Sequence, residues 1–383
     1  MIRNLLLTAC VFVLGAASGA YAADTIKIGT TQSLTGHYEE FGNEQLRGLQ
    51  MWVADINARG SLLGKPVELV YYDDTSRSAR SEALYARLIE QDGVDFLVGP
   101  YSSALTLRAS QVAEKYDVPM VASAASADDI WDRGLQNIFG IDTPASNYLK
   151  GIQAAVDAGA STLALIYAET PFAEDVAIGV RKKAASSNTR LVLDEAYPPE
   201  QLDFSALAVR LKEIDADVIL GVSYLEDSIA MVKAFKNANV KPRMLAFTVG
   251  PALREFGDRL GPDAEGVVGV VQWLRSAPIP GAQDFAYRYR SRYGHNPAVH
   301  AALGYSAGQV IEAAVRLAGT TDHDAVRKQL RDMYFRSLLG LYDVDETGRQ
   351  IGKTNYLLQW QDNQRRLIAP ENLAESELIY PMP

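Results

Sequence analysis

The chain has 383 residues, 48% of them hydrophobic and 22% charged, which is the balance of a packed globular protein and excludes a disordered one. Its length exceeds the usual single domain and predicts two compact lobes, each large enough to bury a core. A formal net charge of -10 and a pI near 5.1, with no run of Lys or Arg, argue against a nucleic-acid or anionic-membrane surface.

The chain opens Met1-Ile2-Arg3-Asn4, continues as an apolar run from Leu5 to Ala17, and reaches small residues ending Ala20-Tyr21-Ala22. A basic start, a short apolar core and an A-x-A site predict a secretory signal peptide over residues 1–23, cut after Ala22 or Ala23. A membrane anchor would need about 20 apolar residues. Leu7-Thr8-Ala9-Cys10 imitates a lipoprotein cleavage box, but only Leu5 and Leu6 would precede that cut, and the apolar run continues past Cys10. Cys10 is the only cysteine, so the mature chain is expected to lack a disulfide, a thiolate nucleophile and a cysteine metal site.

Beyond the leader, short β-branched runs alternate with longer amphipathic ones. Ile26-Lys27-Ile28-Gly29 reads as a strand, and Leu46, Leu49, Val53 and Ile56 recur at helical spacing until Gly60. Val67 to Tyr71 is the next strand, followed by a helix from Ser78 to Gln91, the strand Phe96-Leu97-Val98, a helix from Ser103 to Tyr116, and the strand Pro119 to Ala122. Repeated βα units imply a parallel sheet covered on both faces. After Asp142-Thr143-Pro144 a second series begins. Its strands are Leu163 to Tyr167, Leu191 to Leu193, Val218 to Val222 and Met244 to Phe247, with helices over 173–186, 204–214 and 226–239. Ser276-Ala277-Pro278-Ile279-Pro280-Gly281 breaks the pattern before helices over 282–293 and 299–318. The expectation is two α/β lobes joined by short crossovers about which they move.

Several motifs carry no chemistry. Gly304-Tyr305-Ser306-Ala307-Gly308 matches the G-x-S-x-G nucleophile elbow, yet that turn needs a strand before its Ser, and here Ala301, Ala302, Leu303, Val310, Ile311, Ala314 and Val315 continue one helical pattern through it. Only His323 lies downstream to act as a base. His295 and His300 do not share a helix face, no H-E-x-x-H occurs, and neither nucleotide-phosphate loop is present. No metal, cofactor or catalytic role is therefore expected.

The opening Ile26-Lys27-Ile28-Gly29, with Ser33-Leu34-Thr35-Gly36 and Phe41-Gly42, resembles the leucine/isoleucine/valine-binding family of ABC-importer solute-binding proteins. So do Ala54-Asp55-Ile56-Asn57-Ala58-Arg59-Gly60, Leu63-Gly64-Lys65-Pro66-Val67 and Tyr72-Asp73-Asp74. Val98-Gly99-Pro100-Tyr101-Ser102-Ser103, Val118-Pro119-Met120-Val121, Asp203-Phe204-Ser205, Ala264-Glu265-Gly266 and Tyr305-Ser306-Ala307 follow in the family's order over about residues 26–365. The resemblance implies a type I periplasmic binding fold: two doubly wound parallel-sheet lobes joined by a three-crossover hinge. Residues 24–142 and 275–335 would form lobe one, and 143–274 and 336–383 lobe two. It further implies a monomer that binds a small molecule in the periplasm and delivers it to ABC-importer permease subunits, with no nucleic-acid partner. A branched-chain amino-acid carrier and a ligand-sensing module for a separate receptor are the alternatives.

Ser102 and Ser103 lie between a strand end and a helix start, where ligands of open α/β sheets bind. There a serine either caps the helix or offers its hydroxyl to an anion held by the free amides and the helix dipole. Ala124-Ala125-Ser126 occupies the equivalent place after the next strand, with side chains small enough for a carboxylate to reach the backbone. The resemblance assigns carboxylate binding to Ser103, Ala124 and Ser126. Phe41, Tyr101, Phe172 and Tyr224 fall in loops after strands of both lobes and read as an apolar wall over a small ligand, with Phe41, Phe172 and Tyr224 matching cleft aromatics of the family. His300 sits at a helix start and reads as a partly buried polar residue near the cleft. Thr248 departs from the family, whose amino-acid members place a Glu there against the ligand's ammonium. Either Glu169, Glu226 or Asp227 replaces that carboxylate, or the ligand carries no ammonium; the reading adopted is a carboxylate or amide with an apolar or aromatic body.

Overall fold

The computed structural model describes residues 25–383; the expected signal peptide and Cys10 lie outside them. The first sheet is built from β1 (Ile26–Gln32), β2 (Val67–Asp73), β3 (Phe96–Val98), β4 (Met120–Ala122) and β5 (Ile138–Gly140), all parallel, in the order β2-β1-β3-β4-β5. Its crossovers are α1 (Glu39–Ala58), α2 (Ser78–Glu90) and α3 (Ser103–Lys115).

The second sheet begins after α4 (Lys150–Asp157). It takes β6 (Thr162–Ala168), β7 (Arg190–Tyr197), β8 (Val218–Val222), β9 (Met244–Phe247) and β10 (Val268–Val271), alternating with α5 (Pro171–Ala185), α6 (Ser205–Ile214), α7 (Leu225–Ala238) and α8 (Arg254–Leu260). All five residues of β8 are buried, as a strand covered on both faces requires of a Val-Ile-Leu-Gly-Val run. Each lobe is thus a doubly wound parallel sheet, as the sequence predicts.

The chain then returns to the first lobe as α9 (Ala282–Tyr293), α10 (Val299–Ala318) and α11 (His323–Asp332), followed by the hairpin β11 (Phe335–Ser337) and β12 (Gly340–Tyr342). Helix α10 lies along α1 at a separation only glycine permits. A Cβ on Gly48 would stand 2.0 Å from the Ala301 carbonyl oxygen, and one on Gly304 2.1 Å from that of Gln45. The G-x-S-x-G motif is thereby a helix-packing feature inside α10, with Ser306 fully buried.

Two features depart from expectation. The lobe boundary at 335/336 falls inside the β11–β12 hairpin, whose Tyr342 hydroxyl donates to the Leu330 carbonyl of α11 at 2.5 Å, while Gly140 of β5 donates to Gly348 at 2.8 Å. The chain therefore stays on the first lobe until just before β13 (Tyr356–Gln361). That strand and β14 (Gln364–Ala369) add an antiparallel pair to the second sheet, giving β14-β13-β10-β9-β8-β6-β7. An antiparallel pair joined by the tight Asp362-Asn363 turn, both residues at positive φ, needs no helical crossover, so it escapes a reading based on βα repeats.

Candidate functional site

In each sheet the strand order reverses once, beside β1 and beside β6, and the carboxyl ends flanking these reversals are where an open α/β sheet leaves a crevice. The two crevices face each other across a cavity with about 520 Å³ of atom-free space. Tyr101, Ser102 and Ser103 follow β3, Ala124 and Ser126 follow β4, Phe172 stands in the first turn of α5 rather than in a loop, and Tyr224 and Thr248 follow β8 and β9; all eight line the cavity. Phe41 does not. It stands one layer back, stacked on Tyr101 with ring centroids 4.6 Å apart, and fixes that ring's position without lining the wall.

At the first-lobe end the Ser103 hydroxyl oxygen accepts the backbone N–H groups of Ser126 and Ala127, each at 3.0 Å. Both lone pairs are occupied, so the Ser103 proton is left to donate. This is neither a plain helix cap nor a free ligand group: it ties the loop after β4 to the start of α3 while keeping one donor. The neighbouring Ser102 hydroxyl is sealed from solvent and makes neither a cap bond nor a well-formed hydrogen bond, with the Tyr38 hydroxyl as the group facing it. Two hydroxyl donors at the amino end of a 13-residue helix form an anion-attracting corner.

The remaining walls are aromatic. Tyr148 meets Phe172 edge-on at 5.1 Å, Phe172 lies 6.3 Å from Tyr224, and the Tyr224 hydroxyl pairs with Thr170 at 3.0 Å. From the first lobe, Tyr38 and His37 cover Tyr224 at 5.5 and 5.9 Å, closing the mouth between the lobes. A further contact between lobes runs from the Asp128 amide to the Asp175 carboxylate at 2.7 Å.

Charge is sparse inside. Thr248 donates to the Ser223 carbonyl at 3.1 Å and accepts its amide at 3.2 Å, so this hydroxyl is committed to the end of β8. None of the three carboxylates considered from sequence lines the cavity. Glu226 is paired with Arg259, Glu169 is exposed, and the buried Asp227 accepts the Tyr197 hydroxyl at 2.6 Å behind the wall. The carboxyl that does line the cavity is Asp142, which accepts the Thr143 amide at 2.8 Å. Burial pushes its pKa up, opposed by the charge of Lys353; burial in turn pushes Lys353 down, and its Nζ is sealed with no hydrogen-bond partner. His300 is buried, lines the cavity and is held near a pKa of about 3 by desolvation alone, hence neutral, with Nδ1 unpartnered.

Sequence reasoning missed Asp142 and Tyr148, which follow β5, and Gln272, which follows β10 and donates to the Tyr148 hydroxyl. A signal existed for Gln272: the run Val267 to Val271 after Gly266 is a legible strand whose carboxyl end places it. Strand β5 spans three residues, too few for periodicity to register.

The profile of the family described as periplasmic binding protein matches residues 25–365. A Leu/Ile/Val-binding protein homolog 7 of Brucella suis is 28% identical over 386 residues, covering 95% of this chain and 96% of the relative. Among solved structures, a branched-chain amino acid transporter substrate binding protein from Streptococcus pneumoniae, in complex with isoleucine, superposes with a TM-score of 0.82 at 24% identity, covering 93% of this chain and 100% of that one. A solute binding protein of an ABC transporter from R. palustris, in complex with benzoate, superposes with a TM-score of 0.81 at 19% identity, covering 94% and 97%. At these identities the superpositions establish the fold.

Proposed function

The chain belongs to the periplasmic binding protein family, and from that premise we propose that it captures a small organic acid with an aromatic or branched apolar body between its lobes. Its class is the periplasmic solute-binding component of an ABC transporter, which binds small molecules and passes them to permease subunits. On this reading the chain itself performs no catalysis. The carrying observation is the cavity's asymmetry: hydroxyl groups stand at the amino end of α3, aromatic rings form the other walls, and the wall at Thr248 offers no carboxylate, an arrangement that suits a carboxylate with an apolar body. An α-amino acid would have to strip water from its ammonium group there without an ionic partner, a loss of several kcal/mol.

Asp142 favours a second reading. It stands on the same lobe as Ser103 and Ser126, so an ammonium next to a bound carboxylate would have one carboxyl within the cavity, although Lys353 already opposes that charge. A thermal-shift panel separates the two, since a ligand that binds only the folded protein raises its melting temperature. Benzoate-like and branched carboxylates should stabilise the wild type more than leucine, isoleucine or valine, and Asp142→Asn should leave that order intact. Stronger stabilisation by leucine or valine, abolished in Asp142→Asn, would replace the organic acid by an amino acid. Native mass spectrometry of the protein as purified, read for a retained solute, gives the identity directly.

A further inference from the structure

In a chain of net charge -10, four arginines line one cavity. Arg254, Arg275, Arg365 and Arg366 line about 1050 Å³ of atom-free space at the hinge, beside the solute cavity, with which it shares Val299. Two carboxylates share the walls, and both are engaged: Asp258 pairs with Arg254, and Glu375 accepts the Leu367 amide at 2.9 Å. Arg254 also binds Glu255 at 2.9 Å, and Arg365 donates to the Ala252 carbonyl. The guanidiniums of Arg275 and Arg366 have no hydrogen bond or ion pair among the described residues.

The arginines disfavour one another: burial holds Arg365 down to about 10, with Glu255 opposing and Arg275 and Arg254 adding to the depression. An anion among them would relieve that repulsion.

We propose that the hinge cavity is a second binding site, for a small multivalent oxyanion such as a di- or tricarboxylate or a phosphate, and that its occupancy favours the closed lobes. Guanidinium forks match carboxylate and phosphate oxygens two at a time, and unpaired forks beside this cavity suit more than one negative charge. The solute cavity, with hydroxyls and aromatic walls, suits a monoanion with an apolar body. Closure follows from placement. Arg275 opens the return to the first lobe and Asn296 and Pro297 belong to that lobe, whereas Arg254, Arg365 and Arg366 belong to the second, so an anion touching both sides binds the closed arrangement best.

Isothermal titration of the mature chain with citrate and, separately, inorganic phosphate, at ionic strength matched with sodium chloride, tests the site. At least one anion should bind with one-to-one stoichiometry, weakened tenfold or more in the Arg275→Gln/Arg366→Gln double variant and unchanged in Ser102→Ala. Because those two guanidiniums make no hydrogen bond or ion pair in the fold and Arg275 repels Arg365, the double variant should unfold at the wild-type midpoint or above it and keep the wild-type solute panel. Small-angle scattering should show a smaller radius of gyration with saturating anion. No binding of either anion, wild-type affinity in the double variant, or loss in Ser102→Ala would overturn the site; binding without compaction would overturn its link to closure.

Discussion

Replacing Ser103 by alanine removes one oxygen that serves two amides. The N–H groups of Ser126 and Ala127, each 3.0 Å from that oxygen, belong to residues 3% and 0% exposed. A buried donor left without an acceptor costs roughly 1–3 kcal/mol, so two give about 2–6 kcal/mol, toward the lower end where water reaches the open cleft. Donor and acceptor lie in the first lobe, so the loss is felt with or without ligand. Ser102→Ala is the internal control: its hydroxyl makes no well-formed hydrogen bond, only a contact with the Tyr38 hydroxyl, so its removal should change stability by less than about 1 kcal/mol. Both variants should bind solute more weakly. Urea unfolding of the ligand-free proteins reads the stability difference, and amide hydrogen exchange at Ser126 and Ala127 reads it locally. A Ser103→Ala protein with the wild-type midpoint and unchanged protection of those two amides would refute the anchoring role.

Other expectations follow from the same geometry. Burial first, and then the Asp128 and Asp129 carboxylates, raise Asp175 to about 6 in the closed form; opening removes the burial and lets the pKa fall toward 3.8, so protonation favours closure. The closed fraction of the ligand-free protein, measured by scattering, should therefore grow as pH falls from 7.5 to 5.5 and lose that dependence in Asp175→Asn; a flat or opposite wild-type profile would contradict it. Gly304→Ala places a methyl 2.1 Å from the Gln45 carbonyl oxygen, so α1 and α10 must separate, and the variant should lose about 1–3 kcal/mol or more in chemical denaturation. Thr248→Glu adds a carboxylate to the cavity wall and should move the thermal-shift order toward amino acids, at some loss of stability because the Ser223 backbone loses its hydroxyl partner. An unchanged ligand order in that variant would show that this wall does not read the ammonium.

The sequence alone determined the two parallel-sheet lobes, because strands buried on both faces must be continuous apolar runs and their crossovers must be amphipathic, as at Val218 to Val222 and Leu46 to Ile56. It also determined that Ser103, Ser126, Phe172 and Tyr224 stand at strand ends, and strand ends are where such sheets bind ligands. What it could not determine was direction and partnership. Phe41 and Tyr101 are equivalent as loop aromatics, and only their 4.6 Å stack decides that one lines the cavity while the other supports it. Glu226, Asp227 and Asp142 are all carboxylates near strand ends; the first pairs with Arg259, the second with Tyr197, and only the third lines the cavity. The four hinge arginines are spread from residue 254 to 366, and no local pattern joins them. Periodicity and turn chemistry are properties of neighbours along the chain, so they are legible in order. The environment of a charge or a ring is made by groups brought together across a hundred residues of chain, and only the packed lobes settle it.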